Sequence, residues 1–243
     1  TSNDECCESA ADCPTDDVYA CENSQCLSIT CPQAWNFLDG SSFAGAGASY
    51  PATEVSAQCN GNTLVVQSNG IPHYTFVPVT PNGLQAKDYS WLIPRYPAVA
   101  AQTTAIPLLG TVGFAVNGVP FFGPNEAAFP DPYGDPVYND IMDECLGHSA
   151  PQGTYHYHAM LVRCLSAGGL DVDSPTNIPS PVIGYAFDGF PIYGAYGCYD
   201  AQCSQVVEYV SSWETVGDPT TYAWDANECT KASCAEASGV NLD

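Results

Sequence analysis

The chain has 243 residues, 45% of them apolar, which is enough for one main domain and a small satellite. Its 27 acidic residues outnumber four basic ones and give a formal net charge of -23, so the surface repels phosphate and nucleic acid is excluded as a partner. No apolar run approaches the roughly 20 residues that a membrane-spanning helix requires.

Thirteen cysteines are far more than a reduced cytosolic protein of this length usually carries. They indicate an oxidising compartment, so we expect a mature, exported product with a secreted or extracellular location. Because the number is odd, at least one cysteine lacks a partner within the chain. A free thiol, self-association or a disulfide to another chain would follow.

The first segment, residues 1–31, contains six cysteines among acidic and small polar residues and has almost no aliphatic side chains. We predict a small cysteine-rich module held by internal disulfides, and a metal-thiolate cluster is the alternative. The six are Cys6, Cys7, Cys13, Cys21, Cys26 and Cys31.

Residues 32–200 consist of short apolar or alternating runs separated by glycine, proline and asparagine, which is typical of strands and turns. The runs are residues 64–66, 74–79, 89–93, 112–116, 155–162 and 182–187. Helices are expected only over 201–213 and 139–146. The sequence thus predicts a mainly β protein, with a β-sandwich or barrel-like body and few short helices.

The end of the chain, residues 201–243, is predicted to be a disulfide-stapled tail that packs on the body. Four cysteines lie from residue 198 onward: Cys198, Cys203, Cys229 and Cys234. Two further cysteines, Cys145 and Cys164, flank a histidine-rich segment, and a bridge between them would hold that segment rigid. Cys59 is the most isolated cysteine in the sequence and is our candidate for the unpaired one.

The four histidines of the chain are the main functional signal. His156 and His158 alternate with Tyr155 and Tyr157 in a strand-like run, so both imidazoles should point to one face and both phenols to the other. His148 lies in a Gly/Pro-marked loop just before this strand, and His73 lies far upstream. We predict that all four imidazoles converge on one metal ion, although ordinary surface or core histidines are the alternative.

Imidazole ligands suit several metals, so the choice of ion needs another clue. Met160 follows His158 by two residues and could add an axial thioether, which favours copper first and zinc second. The alternative is that Met160 fills the core. Asp188 could receive the second N–H of a ligating imidazole, or it could form an Asp-Gly turn.

Four blocks resemble the signature of the YHYH-domain family, whose members are largely uncharacterised exported proteins. The blocks are NGIPH at 69–73, VNGVPFFGP at 116–124, GTYHYH at 153–158 and GYAFDGFPIYG at 184–194. The resemblance covers residues 60–200. It implies that Asp143, with Cys145, His148, His156, His158 and Asp188, lies in a family motif, and Asp143 is thereby another candidate for the surroundings of the metal.

Three functions are compatible with these features. The first is an extracellular metal-binding protein that sequesters copper or a similar ion, or uses it as a structural staple. The second is a structural subunit of an extracellular fibre or matrix, indicated by the many cysteines and 15 tyrosines. The third is a metal-dependent enzyme, for which the sequence offers no clear general base and no recognised catalytic motif.

Overall fold

A computed structural model describes residues 19–22, 25–28, 31–102, 107–123, 125–127, 133, 136–137, 139–159, 164–165 and 178–209, with side chains from residue 31 onward. Met160, Cys229 and Cys234 lie outside these residues, as does most of segments 1–31 and 201–243. The boundaries proposed for the three segments therefore stay predictions.

The described part of the chain is mainly β. Its strands are β1 Tyr19–Glu22, β2 Gln25–Ser28, β3 Val55–Asn60, β4 Thr63–Ser68, β5 Tyr89–Pro94, β6 Thr111–Ala115, β7 Pro120–Phe122, β8 Gly147–Ser149, β9 Tyr155–Tyr157, β10 Val182–Ala186, β11 Pro191–Tyr193, β12 Tyr196–Cys198 and β13 Val206–Glu208. Short 3-10 helices occur at Pro32–Asn36, Gly40–Ser42 and Pro151–Gly153. The prediction of a mainly β chain with few short helices is confirmed.

Two sheets form the body. One has six strands in the order β11-β10-β6-β7-β9-β8, in which only the β7–β9 contact is parallel. The other is the antiparallel sheet β3-β4-β5. The pairs β1–β2 and β12–β13 are separate antiparallel hairpins in the part of the chain that the structure describes.

The sheets pack face to face through the inward residues of their alternating strands, as in a β-sandwich. Leu64, Val66 and Ile93 of the three-stranded sheet share a buried cluster with Phe114 and Tyr185 of the six-stranded sheet. The ring of Trp91 stacks on that of Phe114 with centroids 4.4 Å apart. A second buried cluster contains Tyr155 and Tyr157 of β9, which confirms that these phenol rings face a core.

Three predicted elements are absent where the structure describes the chain. Residues 201–209 form a turn and β13, because the Cys198–Cys203 bridge and the positive φ of 51° at Cys203 are incompatible with a helix. Residues 139–146 form turns, with positive φ values of 54° at Asp140 and 61° at Leu146. Residues 74–79 have no strand pairing and cross the second core as a loop anchored by the Phe76 N–H on the Ala46 carbonyl.

Disulfides connect three pairs of described cysteines. Cys145 bonds to Cys164 across the histidine segment, and Cys198 bonds to Cys203. Cys59 bonds to Cys31, so the expectation that Cys59 is unpaired is wrong. Its place in β3 explains the error, because Val55, Ala57 and Cys59 share the inward face of that strand. The odd cysteine must be sought among those whose side chains the structure does not describe.

Within the described residues, no helix has the length and apolar character that crossing a membrane demands.

Candidate metal centre

The hairpin of β8 and β9 brings three histidines to one face of the large sheet. The strands pair antiparallel with His148 directly opposite His156, and His158 follows His156 by two residues. Directly opposed side chains and alternate side chains of one strand share a face, so the three imidazoles lie side by side. The connection between the strands requires positive φ values at Gln152 (68°) and Gly153 (73°).

The Nε2 atoms of these imidazoles surround a common point together with a carboxylate. His156 Nε2 lies 3.1 Å from His148 Nε2 and 2.9 Å from His158 Nε2. Glu126 Oε1 lies 3.0 Å from His148 Nε2 and 2.8 Å from His158 Nε2. All four atoms lie within 4.8 Å of one another, a grouping that could hold a metal ion.

Backbone carbonyls fix the tautomers of two of these histidines. His148 Nδ1 donates to the Ile141 carbonyl at 2.7 Å, and His156 Nδ1 donates to the Thr154 carbonyl at 3.1 Å. A carbonyl only accepts, so the ring proton must lie on Nδ1, and a neutral ring then presents the lone pair of Nε2 to the centre. Lone pairs this close repel one another unless a proton or a cation lies between them.

The electrostatics of the cluster reflect this crowding. Burial, together with the positive charges that His158 and His148 would carry, lowers the pKa of His156 to about 3. Burial would raise the pKa of the Glu126 carboxyl, but its hydrogen bonds to His148 and His158 outweigh burial and hold that pKa at about 2. Burial lowers the pKa of His148, yet Glu126 raises it more, and the net direction is upward.

Aromatic packing completes the walls of the cluster. The ring of Phe122, on β7, stacks on the His156 imidazole with centroids 3.9 Å apart, and it meets the His158 ring edge-on at 6.4 Å. His148 and His156 are only 1% and 2% exposed. The centre is therefore shielded from water on the side of the sheet, and the Glu126 side chain, at 17% exposure, lies on its more open side.

Glu126 is not among the ligands that the sequence predicts, because those predictions rest on histidines and sulfur. It lies four residues beyond β7, where the Asn125 N–H bonds to the Leu108 carbonyl. The parallel contact of β7 with β9, Phe121 opposite Tyr157, brings this segment to the imidazoles. One glutamate among 27 acidic residues carries no local signal, and only its position shortly after the PFFGP block could have drawn attention to it.

His73 is not part of the cluster, so its assignment as the fourth ligand is wrong. Its Nδ1 accepts a hydrogen bond of 3.1 Å from Asn117 Nδ2, and the same amide nitrogen donates to the Tyr157 hydroxyl. His73 thus lies with the phenols, on the opposite face of β9. Burial lowers its pKa to about 4, and it packs against the rings of Phe43 and Tyr74.

The two acidic candidates have different outcomes. Asp188 is exposed and accepts a bond from the Phe190 N–H at 3.3 Å, so it forms the Asp-Gly turn and does not support an imidazole. Asp143 is buried and accepts from the N–H groups of Cys145 and Gly147 and from the Tyr155 hydroxyl. It fixes the turn that leads into β8, and its charge helps to raise the pKa of His148.

Comparison with known proteins gives one match. A family model described as "YHYH protein" matches residues 90–243, which include β8, β9 and all four residues of the cluster. No curated protein and no solved structure matches the chain. The match covers more than half of the sequence, and the chain belongs to the YHYH protein family.

Proposed function

We propose that this is an extracellular metal-binding protein that holds one ion between Glu126, His148, His156 and His158. The observation that carries the proposal is the convergence of three Nε2 atoms and one carboxylate oxygen inside a buried cluster. A cation would remove the repulsion between the facing lone pairs, and imidazole with carboxylate is a common ligand set for transition metals. The disulfides are compatible with an extracellular location.

Copper is the first choice of metal and zinc the second. Four ligands about 2.0 Å from one ion lie about 2.8 Å apart at the corners of a square and about 3.3 Å apart in a tetrahedron. The four contacts around the cluster measure 2.8 to 3.1 Å, nearer to the square arrangement that copper(II) prefers. Zinc would need the side chains to move outward by a few tenths of an ångström.

The ligand set favours a site that retains its ion over a site that catalyses a reaction. Four protein ligands saturate a four-coordinate ion, whereas a catalytic centre keeps a position open for water or substrate. The ion would also link the segment after β7 to both strands of the β8–β9 hairpin. This geometry supports a role in sequestration or as a structural staple.

The test is metal binding by the full chain, measured by elemental analysis and by competition with a chelator. We expect one ion per chain, and at least about a 100-fold loss of affinity in His156→Ala and in Glu126→Gln. Copper(II)-loaded protein should show an electron paramagnetic resonance spectrum with splitting from three nitrogens.

His73→Asn is the matched control, because it removes a buried histidine from the opposite face of β9. We expect its affinity to stay within about threefold of the wild type. Circular dichroism of each metal-free variant checks that the fold is retained. A folded protein that binds no stoichiometric ion, or equal losses in the control and in His156→Ala, would contradict the proposal.

A further inference from the structure

The face of β9 opposite the cluster of Glu126 and three histidines carries a continuous chain of buried hydrogen-bonding groups. Tyr155 Oη contacts Asp143 Oδ2 at 2.5 Å, and Tyr74 Oη lies 3.2 Å from Tyr155 Oη and 2.5 Å from Tyr157 Oη. Asn117 Nδ2 donates to Tyr157 Oη at 2.9 Å. Three phenols are thus joined in series between a carboxylate and an amide.

The two ends of this chain set the direction of every proton in it. The Asn117 nitrogen only donates, so the Tyr157 oxygen accepts there and its own proton points to Tyr74. The Asp143 carboxylate only accepts, so the Tyr155 proton points to it, and Tyr74 must donate to Tyr155. All three hydroxyl protons therefore point the same way, from Tyr157 through Tyr74 and Tyr155 to Asp143.

Burial makes ionisation of these phenols costly. Tyr155 and Tyr157 are 1% and 0% exposed, so a phenolate formed there would have no water to solvate its charge. A phenol that loses an electron without losing its proton would also leave a positive charge in the core. Loss of the electron together with a proton shift to Asp143 avoids both charged forms and removes the carboxylate charge as well.

We propose that Tyr155, Tyr74 and Tyr157 form a site of proton-coupled one-electron oxidation, with Asp143 as the proton acceptor. A one-electron oxidant such as a ruthenium(III) tris-bipyridyl complex takes one electron and is reduced to ruthenium(II). The O–H bond of Tyr157 breaks and its proton moves to Tyr74, the Tyr74 proton moves to Tyr155, and the Tyr155 proton moves to Asp143. The products are a neutral radical on Tyr157 and a protonated Asp143 carboxyl.

The radical should be long-lived at Tyr157, because that ring is fully buried and its oxygen keeps the hydrogen bond from Asn117. Tyr74 is only partly buried and is the member of the chain nearest to solvent. The electron that Tyr157 loses would therefore reach an oxidant in solution by way of Tyr74. The chain of phenols needs no metal ion, so it is independent of the proposed function.

The test is photochemical oxidation of the full chain, first stripped of metal and then dialysed free of chelator, by ruthenium(III) generated from ruthenium(II) with persulfate as the electron acceptor, followed by freezing and electron paramagnetic resonance. We expect a neutral tyrosyl radical in the wild type. The yield of the long-lived signal, which remains after radicals on exposed tyrosines have decayed, should fall by at least about tenfold in Asp143→Asn, which loses the proton acceptor, and in Tyr155→Phe, which breaks the chain. Tyr157→Phe should change the hyperfine pattern, because the radical then rests on Tyr74.

Tyr199→Phe is the matched control, since Tyr199 is 71% exposed, and its yield should equal that of the wild type. Circular dichroism verifies folding, and Tyr155→Phe keeps the test valid if Asp143→Asn does not fold. Equal radical yields in the wild type and in folded Tyr155→Phe would overturn the proposal, as would loss of the signal in Tyr199→Phe.

Discussion

His73 makes the stability of the metal-free protein dependent on pH in a predictable direction. The imidazole of an unfolded chain has a pKa near 6.5, whereas burial lowers the pKa of folded His73 to about 4. Below pH 6.5 the unfolded state binds a proton that the folded state does not take up until about pH 4. The stability that neutral His73 provides is therefore present above pH 6.5 and is lost as the pH falls toward 4.

These two pKa values set the size of the effect. Between pH 7 and pH 5 the linkage relation gives a loss of about 2 kcal/mol in the free energy of unfolding from this single group. In His73→Asn the asparagine Oδ1 can still accept from Asn117, but it does not titrate. The variant will be less stable at every pH because it loses ring contacts with Phe43 and Tyr74. Its loss of stability on acidification should be smaller by about 2 kcal/mol.

The assay is urea unfolding of both proteins at pH 7, 6 and 5, in EDTA so that no metal contributes. Glu126, His148 and His156 titrate alike in the two proteins, so their contributions cancel in the comparison. If wild type and His73→Asn lose stability in parallel between pH 7 and 5, the buried neutral state assigned to His73 is incorrect.

Two further predictions concern the framework. Replacing both Cys145 and Cys164 by serine removes a crosslink between residues 19 apart in sequence. Urea unfolding should then show a free energy of unfolding lower by about 3 kcal/mol, and a loss below about 1 kcal/mol would refute this. Gly118→Ala would place a Cβ 2.3 Å from Ser68 Oγ, at a backbone φ of +78° that disfavours alanine. Thermal melting should show that the free energy of unfolding falls by at least about 2 kcal/mol. An unchanged melting temperature would contradict this strain.

The sequence was sufficient for the features that depend on local alternation. The period of two places His156 and His158 on one face of β9 and Tyr155 and Tyr157 on the other, and the structure shows this arrangement. Several of the strands, including β4, β5, β6 and β10, also coincide with short apolar runs bounded by turn residues. Such patterns are set by neighbours in sequence and can be interpreted without knowing the topology.

Features that depend on long-range pairing could not be derived in this way. His73 and His148 both lie in Gly/Pro-framed segments, and nothing local shows that one approaches the phenol face of β9 and the other the imidazole face. Glu126 reaches the cluster through a parallel contact of β7 with β9, which joins segments more than 30 residues apart. Cys59 is isolated in sequence, yet the inward face of β3 brings it to Cys31.

The tetrapeptide at residues 155–158 supplies side chains to two chemically different sites, and it does so only because a strand alternates. The imidazoles meet Glu126 on one face, and the phenols join Tyr74 and Asp143 on the other. Single substitutions can therefore remove one site and spare the other. A shift of one residue in the pairing of β9 would instead place imidazoles in the apolar core and phenols against Glu126, so the register of this one strand controls both sites together.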